Sequence, residues 1–291
     1  MTTVDPAARR QTGERMMHYP FADAHALILG GAKGIGQAAA REFARRGARV
    51  SVGDIDVAAA EETAASIRAV GGTAQAVSVN VLSAASIAGA VALAETGFGP
   101  VDMLLNNVGA ILNGHPEDVP AQEWERITEL NYGAVVRGMR EVLPAMLARG
   151  RGHIVNTASF AGIYPYAASR IPYGAAKAAV INLTENLALY CEPKGIRVSC
   201  LIPGPVITGI AASMTNWTPD APMRGPGAHL PLLTAEVAAT RFADGIRDGR
   251  ILIPSDEALW DIVRSWAADP DAFIRRKIAE VAQGEMGLPV V

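Results

Sequence analysis

The chain has 291 residues, of which 50% are apolar, and a formal net charge of −3. That length and apolar content suffice for one large α/β core, whereas the small net charge excludes the strong field that a nucleic-acid-binding or membrane-surface protein needs. Two cysteines without metal-ligand spacing exclude a disulfide framework and favour a reduced, cytoplasmic setting.

Residues 1–22 are polar and rich in arginine, and they contain no apolar run of the kind that a secretory signal needs. We expect them to form a loose N-terminal extension. Residues 23–291 contain no Pro/Gly/Ser-rich linker, so they are predicted to form one domain. The chain contains no run of about eighteen apolar residues, so no membrane span is predicted.

Seven short runs rich in β-branched residues and leucine alternate with amphipathic segments of a dozen residues or more. The runs are HALILGG, ARVSVGD, TAQAVSV, VDMLLNN, GHIVNTAS, GIRVSCLIPG and GRILIPS. Such alternation indicates βαβ units and a parallel sheet, and continuous apolar strands indicate helices on both faces. We therefore predict a doubly wound, Rossmann-type α/β domain with a seven-stranded parallel sheet.

The segment 209–233 breaks this alternation, because it is rich in Pro and Gly, and it is predicted to be a substrate loop or lid. Its Met214, Trp217 and Met223, with Ile210, either line an apolar or aromatic substrate pocket or pack the lid against the body. After the last strand, residues 255–284 are predicted to form two C-terminal helices.

A glycine-rich segment, GGAKGIG, follows the first strand directly. Gly30, Gly34 and Gly36 allow a tight turn and close approach to a pyrophosphate, which the free N–H groups of the following helix would bind. The alternative is that these glycines only let the helix pack closely on the strand. A second register, GIGQAA, also matches a dinucleotide motif, but it would force the strand to continue through Gly31.

Asp54 ends the second strand, about twenty residues beyond the glycine loop. A carboxylate there accepts hydrogen bonds from a ribose diol and repels a 2′-phosphate, which favours NAD over NADP. Lys33 favours the opposite preference, because a basic side chain in the loop can contact a phosphate, although it can equally be a solvated loop lysine. We give the carboxylate more weight, so NAD is the predicted cofactor and NADP stays possible.

Six short motifs follow one another along the chain. They are GGAKGIG, NNVG at 106–109, Asn131 in ITELNYG, Ser159 in NTASFAG, Tyr173 with Lys177 in YGAAK, and PGPVIT from Pro203. Together they resemble the short-chain dehydrogenase/reductase family over about residues 27–208, and the glycine spacing matches its ordinary-length, single-domain branch. The resemblance implies an NAD(P)-dependent oxidoreductase that interconverts a secondary alcohol and a ketone.

By this resemblance, Tyr173 is the general acid/base and Ser159 hydrogen-bonds to the substrate oxygen. Lys177 binds the nicotinamide ribose, and Asn131 holds a water that relays protons from it. On a helix, Tyr173 and Lys177 lie one turn apart on one face. A free tyrosine titrates near pH ~10, so a lysine ammonium, joined by an oxidised nicotinamide, would lower that pKa toward neutrality.

The resemblance also assigns the dinucleotide contacts. Asn80 and Val81 would meet the adenine, although the family more often has aspartate at the first of these positions. The predicted cofactor contacts are Gly30, Lys33, Gly34, Ile35, Gly36, Asp54, Ile55, Asn80, Val81, Asn107, Gly109, Tyr173, Lys177, Pro203, Gly204, Val206 and Thr208. A homodimer or homotetramer is implied through the helix bearing Tyr173 and the long helix before it.

Two other functions stay open from the residues: a nucleotide-binding regulator on the same fold, and a lyase or epimerase that uses NAD transiently, which the glycine spacing disfavours. No metal site is predicted, because the histidines show no ligand spacing. Tyr166 and Arg170 repeat the i, i+4 spacing, but Pro165 and Pro172 bracket them and predict a loop. We do not expect that pair to be catalytic.

Overall fold

The central sheet contains the seven predicted strands. The computed structural model describes residues 21–210, 214–285 and 287, so nearly all of the predicted extension 1–22 lies outside the described residues. The strands are β1 His25–Leu29, β2 Arg49–Asp54, β3 Thr73–Ser78, β4 Met103–Asn106, β5 Gly152–Thr157, β6 Ile196–Ile202 and β7 Leu252–Pro254. All neighbours pair in parallel, in the order β3-β2-β1-β4-β5-β6-β7. The prediction of a doubly wound parallel sheet is confirmed.

Helices cover both faces of this sheet. They are α1 Gly34–Arg45, α2 Val57–Ala69, α3 Ala84–Phe98, α4 Ala121–Thr128, α5 Ala134–Arg149, α6 Ile171–Cys191, α7 Ala235–Arg247, α8 Leu259–Ala268 and α9 Pro270–Ala282. The described residues also contain 3₁₀ turns at Phe160–Gly162, Ala168–Arg170 and Glu192–Lys194 and a π-helical turn at Glu129–Gly133. None of these helices combines the length and the hydropathy that crossing a bilayer requires.

The apolar strands are buried on both faces because alternate side chains enter two separate cores. Strand β1 is buried at every position. Its Ile28 packs in the core formed with α1, α2 and α7, around Phe43 and Phe242. The neighbouring Leu27 packs in the opposite core with α3, α5 and the end of α6. A continuous apolar strand is therefore what this doubly covered sheet requires.

The strand order changes direction between β1 and β4, which are adjacent in the sheet. In open α/β sheets, a crevice forms at such a switch point, beyond the carboxyl ends of the strands. Leu29 and Asn106, at the ends of β1 and β4, are register partners there. The glycine loop, which follows Leu29 directly, is consequently placed at the mouth of this crevice.

The predicted lid, 209–233, is irregular over its described residues except for a two-residue strand, Thr215–Asn216. That strand pairs with Leu112–Asn113, and Leu233–Thr234 at the far end pairs with Val206–Ile207. The segment is therefore anchored at two points beside the crevice.

Candidate active site

The glycine loop has the shape that a phosphate cradle requires. Gly30 and Gly34 adopt φ values of 84° and 57°, which glycine tolerates without strain. A Cβ placed on Gly36 would lie 1.9 Å from the Gly30 carbonyl oxygen, so only glycine permits this close approach. No side chain caps the first turn of α1, and that turn contains no acidic residue. The exposed N–H groups and helix dipole therefore suit a dinucleotide pyrophosphate.

Asp54 and Lys33 both lie beside this cradle, but each already has a partner. The Asp54 carboxylate accepts hydrogen bonds at 3.1 Å from the backbone N–H groups of Ala32 and Asp56. The Lys33 ammonium forms an exposed 3.0 Å ion pair with Asp56. Ile55, between the two acids, leaves 72% of its surface exposed. This end of the crevice offers two carboxylates and an apolar surface on which a base could stack.

Asn107 braces the glycine loop. Its amide donates to the Gly30 carbonyl at 2.9 Å and accepts from the Thr157 hydroxyl at 3.2 Å. Thr208 approaches from the opposite side, with its Cβ 3.3 Å from the position that a Cβ on Gly34 would occupy. These residues converge on the loop as predicted, and their individual contacts with the cofactor stay predictions.

Other predicted cofactor residues are placed less directly. Val81 packs in the core beside α3 with 6% of its surface exposed, which leaves its backbone for any adenine contact. Asn80 is exposed, and its side-chain oxygen accepts a hydrogen bond from Leu82. Ile35 packs against the core, and Gly204 donates to the Ser255 hydroxyl.

Helix α6 brings Tyr173 and Lys177 to the crevice. Lys177 is 3% exposed, its Nζ donates to the Thr157 carbonyl at 2.8 Å, and Nζ lies 5.8 Å from the centre of the Tyr173 ring. Ser159 follows β5 and lies beside Tyr173, where its hydroxyl acts to lower the pKa of that phenol. Gly162 lies close against the backbone of α6. A Cβ at this position would be only 2.5 Å from the Lys177 backbone, so the close approach requires glycine. Sequence reasoning missed Gly162, although it stands in the same NTASFAG motif.

Asn131 lies on the π-helical turn between α4 and α5, a distortion that frequently marks functional sites. Its amide donates to the carbonyls of Ala110 and Ile127, both at 2.9 Å. Its Oδ1 is fully buried and has no hydrogen-bond partner among the residues that the structure describes. A Cβ on Gly109 would lie 2.7 Å from this oxygen and 3.3 Å from Lys177 Nζ. The two polar atoms therefore face one small space, which suits a bridging water.

Burial dominates the electrostatics of the pair on α6. It raises the pKa of Tyr173, while a hydrogen bond with Ser159 and the charge of Arg170 act in the opposite direction. It also lowers the pKa of Lys177 to about 8. Tyr173 is thus a neutral phenol at neutral pH, ready to donate a proton. The net shift is opposite to the lowering expected from Lys177 and oxidised nicotinamide, because desolvation outweighs the charges of the protein alone.

Tyr166 and Arg170, which the sequence did not assign to the site, lie within it. Tyr166 also lies beside Ser159, whose hydroxyl acts to lower its pKa, and the Arg170 guanidinium carbon lies 5.9 Å from the Tyr166 ring centre. The intervening segment is a loop ending in a 3₁₀ turn, as the bracketing prolines predicted. That loop folds back against Ser159, and spacing within the chain cannot reveal such a contact.

Trp217 lies at the edge of the lid. Its backbone N–H donates to the Asn113 carbonyl at 2.7 Å, and its side chain lies near Glu123 on α4, where it acts to lower the pKa of that carboxyl. These contacts favour the second alternative for Trp217, that it packs the lid against the body of the protein. Among the residues that the structure describes, no three His, Cys, Asp or Glu side chains are grouped so as to hold a metal ion.

Residues 24–219 match the family model described as short chain dehydrogenase. The chain belongs to this family. It is 34% identical over 235 residues to the 2,5-dichloro-2,5-cyclohexadiene-1,4-diol dehydrogenase LinX of Sphingobium indicum, covering 80% of this chain and 89% of that protein. It is 36% identical over 200 residues to the cyclohexanol dehydrogenase of an Acinetobacter species, covering 68% and 79% of the two chains.

A solved structure supports the same assignment. A short-chain dehydrogenase/reductase from Burkholderia phymatum, in complex with NAD, superposes with a TM-score of 0.76 at 29% identity, covering 87% of this chain and 96% of that one. The protein is therefore an NAD(P)-dependent oxidoreductase of the secondary alcohol/ketone type. The predicted family and cofactor class are confirmed.

Proposed function

We propose that this protein is an NAD-preferring alcohol dehydrogenase or ketoreductase in which Tyr173 is the general acid/base. The observation that carries this proposal is the placement of Ser159 beside Tyr173, where its hydroxyl acts to lower the pKa of that phenol, while Lys177 and the buried oxygen of Asn131 face one small space nearby. A substrate oxygen placed at Ser159 would be within reach of the Tyr173 hydroxyl. A purely structural role would not need a desolvated lysine and an unpaired buried acceptor at one point.

The bound nicotinamide supplies or accepts the hydride. In the reductive direction, the Tyr173 phenol donates its proton to the carbonyl oxygen, and the Ser159 hydroxyl stabilises the developing charge there. The ammonium of Lys177 stabilises the phenolate that remains, and water held at Asn131 Oδ1 returns the proton. Alcohol oxidation uses the same groups in reverse, and it requires the phenolate form of Tyr173.

The acids at the end of β2 support a preference for NAD. Asp54 would oppose a 2′-phosphate at the adenine ribose. Lys33, the candidate phosphate ligand, is paired with Asp56 instead. Because this pair is exposed to solvent, it is weak. The preference therefore depends mainly on Asp54.

We propose that the substrate carries its secondary alcohol or ketone on a ring carbon. The relatives act, by their names, on a cyclohexadienediol and on cyclohexanol. One aromatic ring, that of Tyr166, lies beside Ser159, and it packs on the buried Tyr164 with ring centres 5.1 Å apart. The predicted pocket residues Ile210, Met214 and Met223 would add apolar surface.

A homo-oligomer and a cytoplasmic location complete the proposal. Helix α6 leaves Leu189 and Tyr190 exposed by 78% and 54%, as expected of a surface that packs against a second copy. Cys191 and Cys200 are both free and buried, which suits a reducing compartment.

The proposal is tested with Tyr173→Phe. We expect the variant to bind NAD with unchanged affinity, measured by calorimetry, and to lose turnover of cyclohexanol by about 10²- to 10⁴-fold. Tyr190→Phe is the matched control, because Tyr190 lies on the same helix but outside the crevice. Near-normal turnover by Tyr173→Phe would refute the mechanism. Wild-type protein that binds NAD but turns over no ring alcohol would favour the regulator.

A further inference from the structure

Arg170 places a positive charge directly beside the reacting hydroxyls. It lies at the start of α6, three residues before Tyr173, and its guanidinium carbon is 5.9 Å from the ring centre of Tyr166. Tyr166 and Tyr173 both lie beside Ser159, close enough for its hydroxyl to act on their pKa values, so the arginine stands one tyrosine ring away from the proposed position of the substrate oxygen. Its charge also lowers the pKa of both phenols, although burial acts more strongly in the other direction.

No acidic group balances this charge. Arg170 forms no ion pair with any residue that the structure describes. Its Nε is fully buried and has no hydrogen-bond partner. By contrast, Arg126 and Arg137, on the neighbouring α4 and α5, are paired with Glu123 and Glu129. The Nε atoms of Arg49, Arg149 and Arg224 are also buried without a hydrogen-bond partner among the described residues, so what distinguishes Arg170 is its place beside Tyr166 and Tyr173.

The position of Arg170 at the start of α6 raises the free-energy cost of leaving its charge unpaired. The first turn of α6 contains no acidic residue, and the amino end of a 21-residue helix carries partial positive charge. A guanidinium that is partly removed from water at this end needs an anion to compensate it. Tyr166 supplies only its ring, which is a weak partner compared with a carboxylate.

The arginine is nevertheless fixed in place. Its Nη2 donates to the backbone carbonyl of Arg224. Arg224 is itself 7% exposed, and its guanidinium donates to the Val281 carbonyl at 2.8 Å, near the end of α9. One edge of the Arg170 fork is thus occupied by protein, and Nη1 has neither a hydrogen bond among the described residues nor complete burial. A fixed guanidinium with donors still available is well suited to an oxyanion.

We propose that Arg170 binds a carboxylate on the substrate, so that the protein acts on ring-bearing hydroxy acids or oxo acids in preference to neutral alcohols. This inference rests on the proposed function, because it places the carbinol at Ser159 and Tyr173. Since the Tyr166 ring separates Arg170 from Ser159, the carboxylate is several bonds away from the carbinol carbon. Arg224 acts as a positioning residue, through its carbonyl.

The test uses 4-hydroxycyclohexane-1-carboxylate and its methyl ester as substrates for the full-length protein with NAD. The wild type is expected to prefer the acid by at least about tenfold in kcat/KM, which corresponds to about 1.4 kcal/mol. Arg170→Met should abolish that preference by raising KM for the acid, and Arg170→Lys should retain part of it. Any general effect of the charge on Tyr173 alters both substrates equally, so the acid-to-ester ratio isolates binding of the carboxylate.

A binding measurement keeps the two proposals separable. Cyclohexanecarboxylate is titrated into the protein saturated with NADH, and Arg170→Met is expected to weaken its binding by at least about tenfold. If the acid and the ester react equally well in wild type and variant, the carboxylate site is refuted and the dehydrogenase stands. If no alcohol reacts, the proposed function fails. In that case, equal affinity of the wild type and of Arg170→Met for cyclohexanecarboxylate would refute the carboxylate site as well.

Discussion

Replacing Gly36 by alanine tests the cofactor cradle most directly. The new Cβ would lie 1.9 Å from the Gly30 carbonyl oxygen and 2.6 Å from the Asn107 amide nitrogen, whereas real Cβ contacts are essentially never under 3.0 Å. The start of α1 and the loop must therefore separate by about 1 Å, and misplacement of that size can cost about 100-fold in a positioned site. The clash involves backbone, so no side-chain rotation can relieve it.

The expected magnitude follows from two opposing terms. Alanine gains about 1 kcal/mol over glycine within a helix, but overpacking typically costs about 1–3 kcal/mol, and more where backbone must move. If this cost falls on the geometry that binds the pyrophosphate, NAD binding weakens by about 5- to 150-fold.

The assay is calorimetric titration of NAD together with thermal unfolding without nucleotide. Gly89→Ala is the matched control, because Gly89 lies within α3 and a Cβ there meets nothing within 4 Å. It should bind NAD normally and unfold about 2 °C higher, since only helix propensity changes. If Gly36→Ala binds NAD as tightly as the wild type, the cradle reasoning is wrong.

Two further predictions concern charge. Asp54→Ala should lower the ratio of kcat/KM with NAD to kcat/KM with NADP by at least about tenfold, because the repulsion of a 2′-phosphate is lost; an unchanged ratio would contradict this. Burial lowers the pKa of His153 to about 3, so the unfolded chain takes up this proton below pH ~6.5 and the folded protein does not. Stability should fall by up to about 1.4 kcal/mol per pH unit from there downward. His153→Gln should show a shallower fall between pH ~6.5 and pH ~5 in urea unfolding; an equally steep fall would show that other groups, such as the buried His25, control it.

The sheet could be predicted because the apolar sequence of each strand indicates that the strand is buried. HALIL is apolar at every position but the first, and VDMLLNN contains the continuous apolar run MLL, as occurs when both faces of a strand are covered. The π-helical turn that carries Asn131 had no such signal, because its residues are compatible with an ordinary helix. The partner of Lys33 could not be predicted either. Asp56 lies far away along the chain, and only the pairing of β1 with β2 brings it near.

Chain-local chemistry determined the fold class, the glycine loop and the spacing of Tyr173 and Lys177, because strand burial, glycine conformation and helical periodicity are all properties of a few consecutive residues. The tertiary structure alone decided what surrounds the phenol. It placed Tyr166 on Ser159, left Arg170 without an acidic partner and raised the pKa of Tyr173 through burial. Desolvation and charge pairing depend on groups that are remote in the chain and adjacent only in the fold.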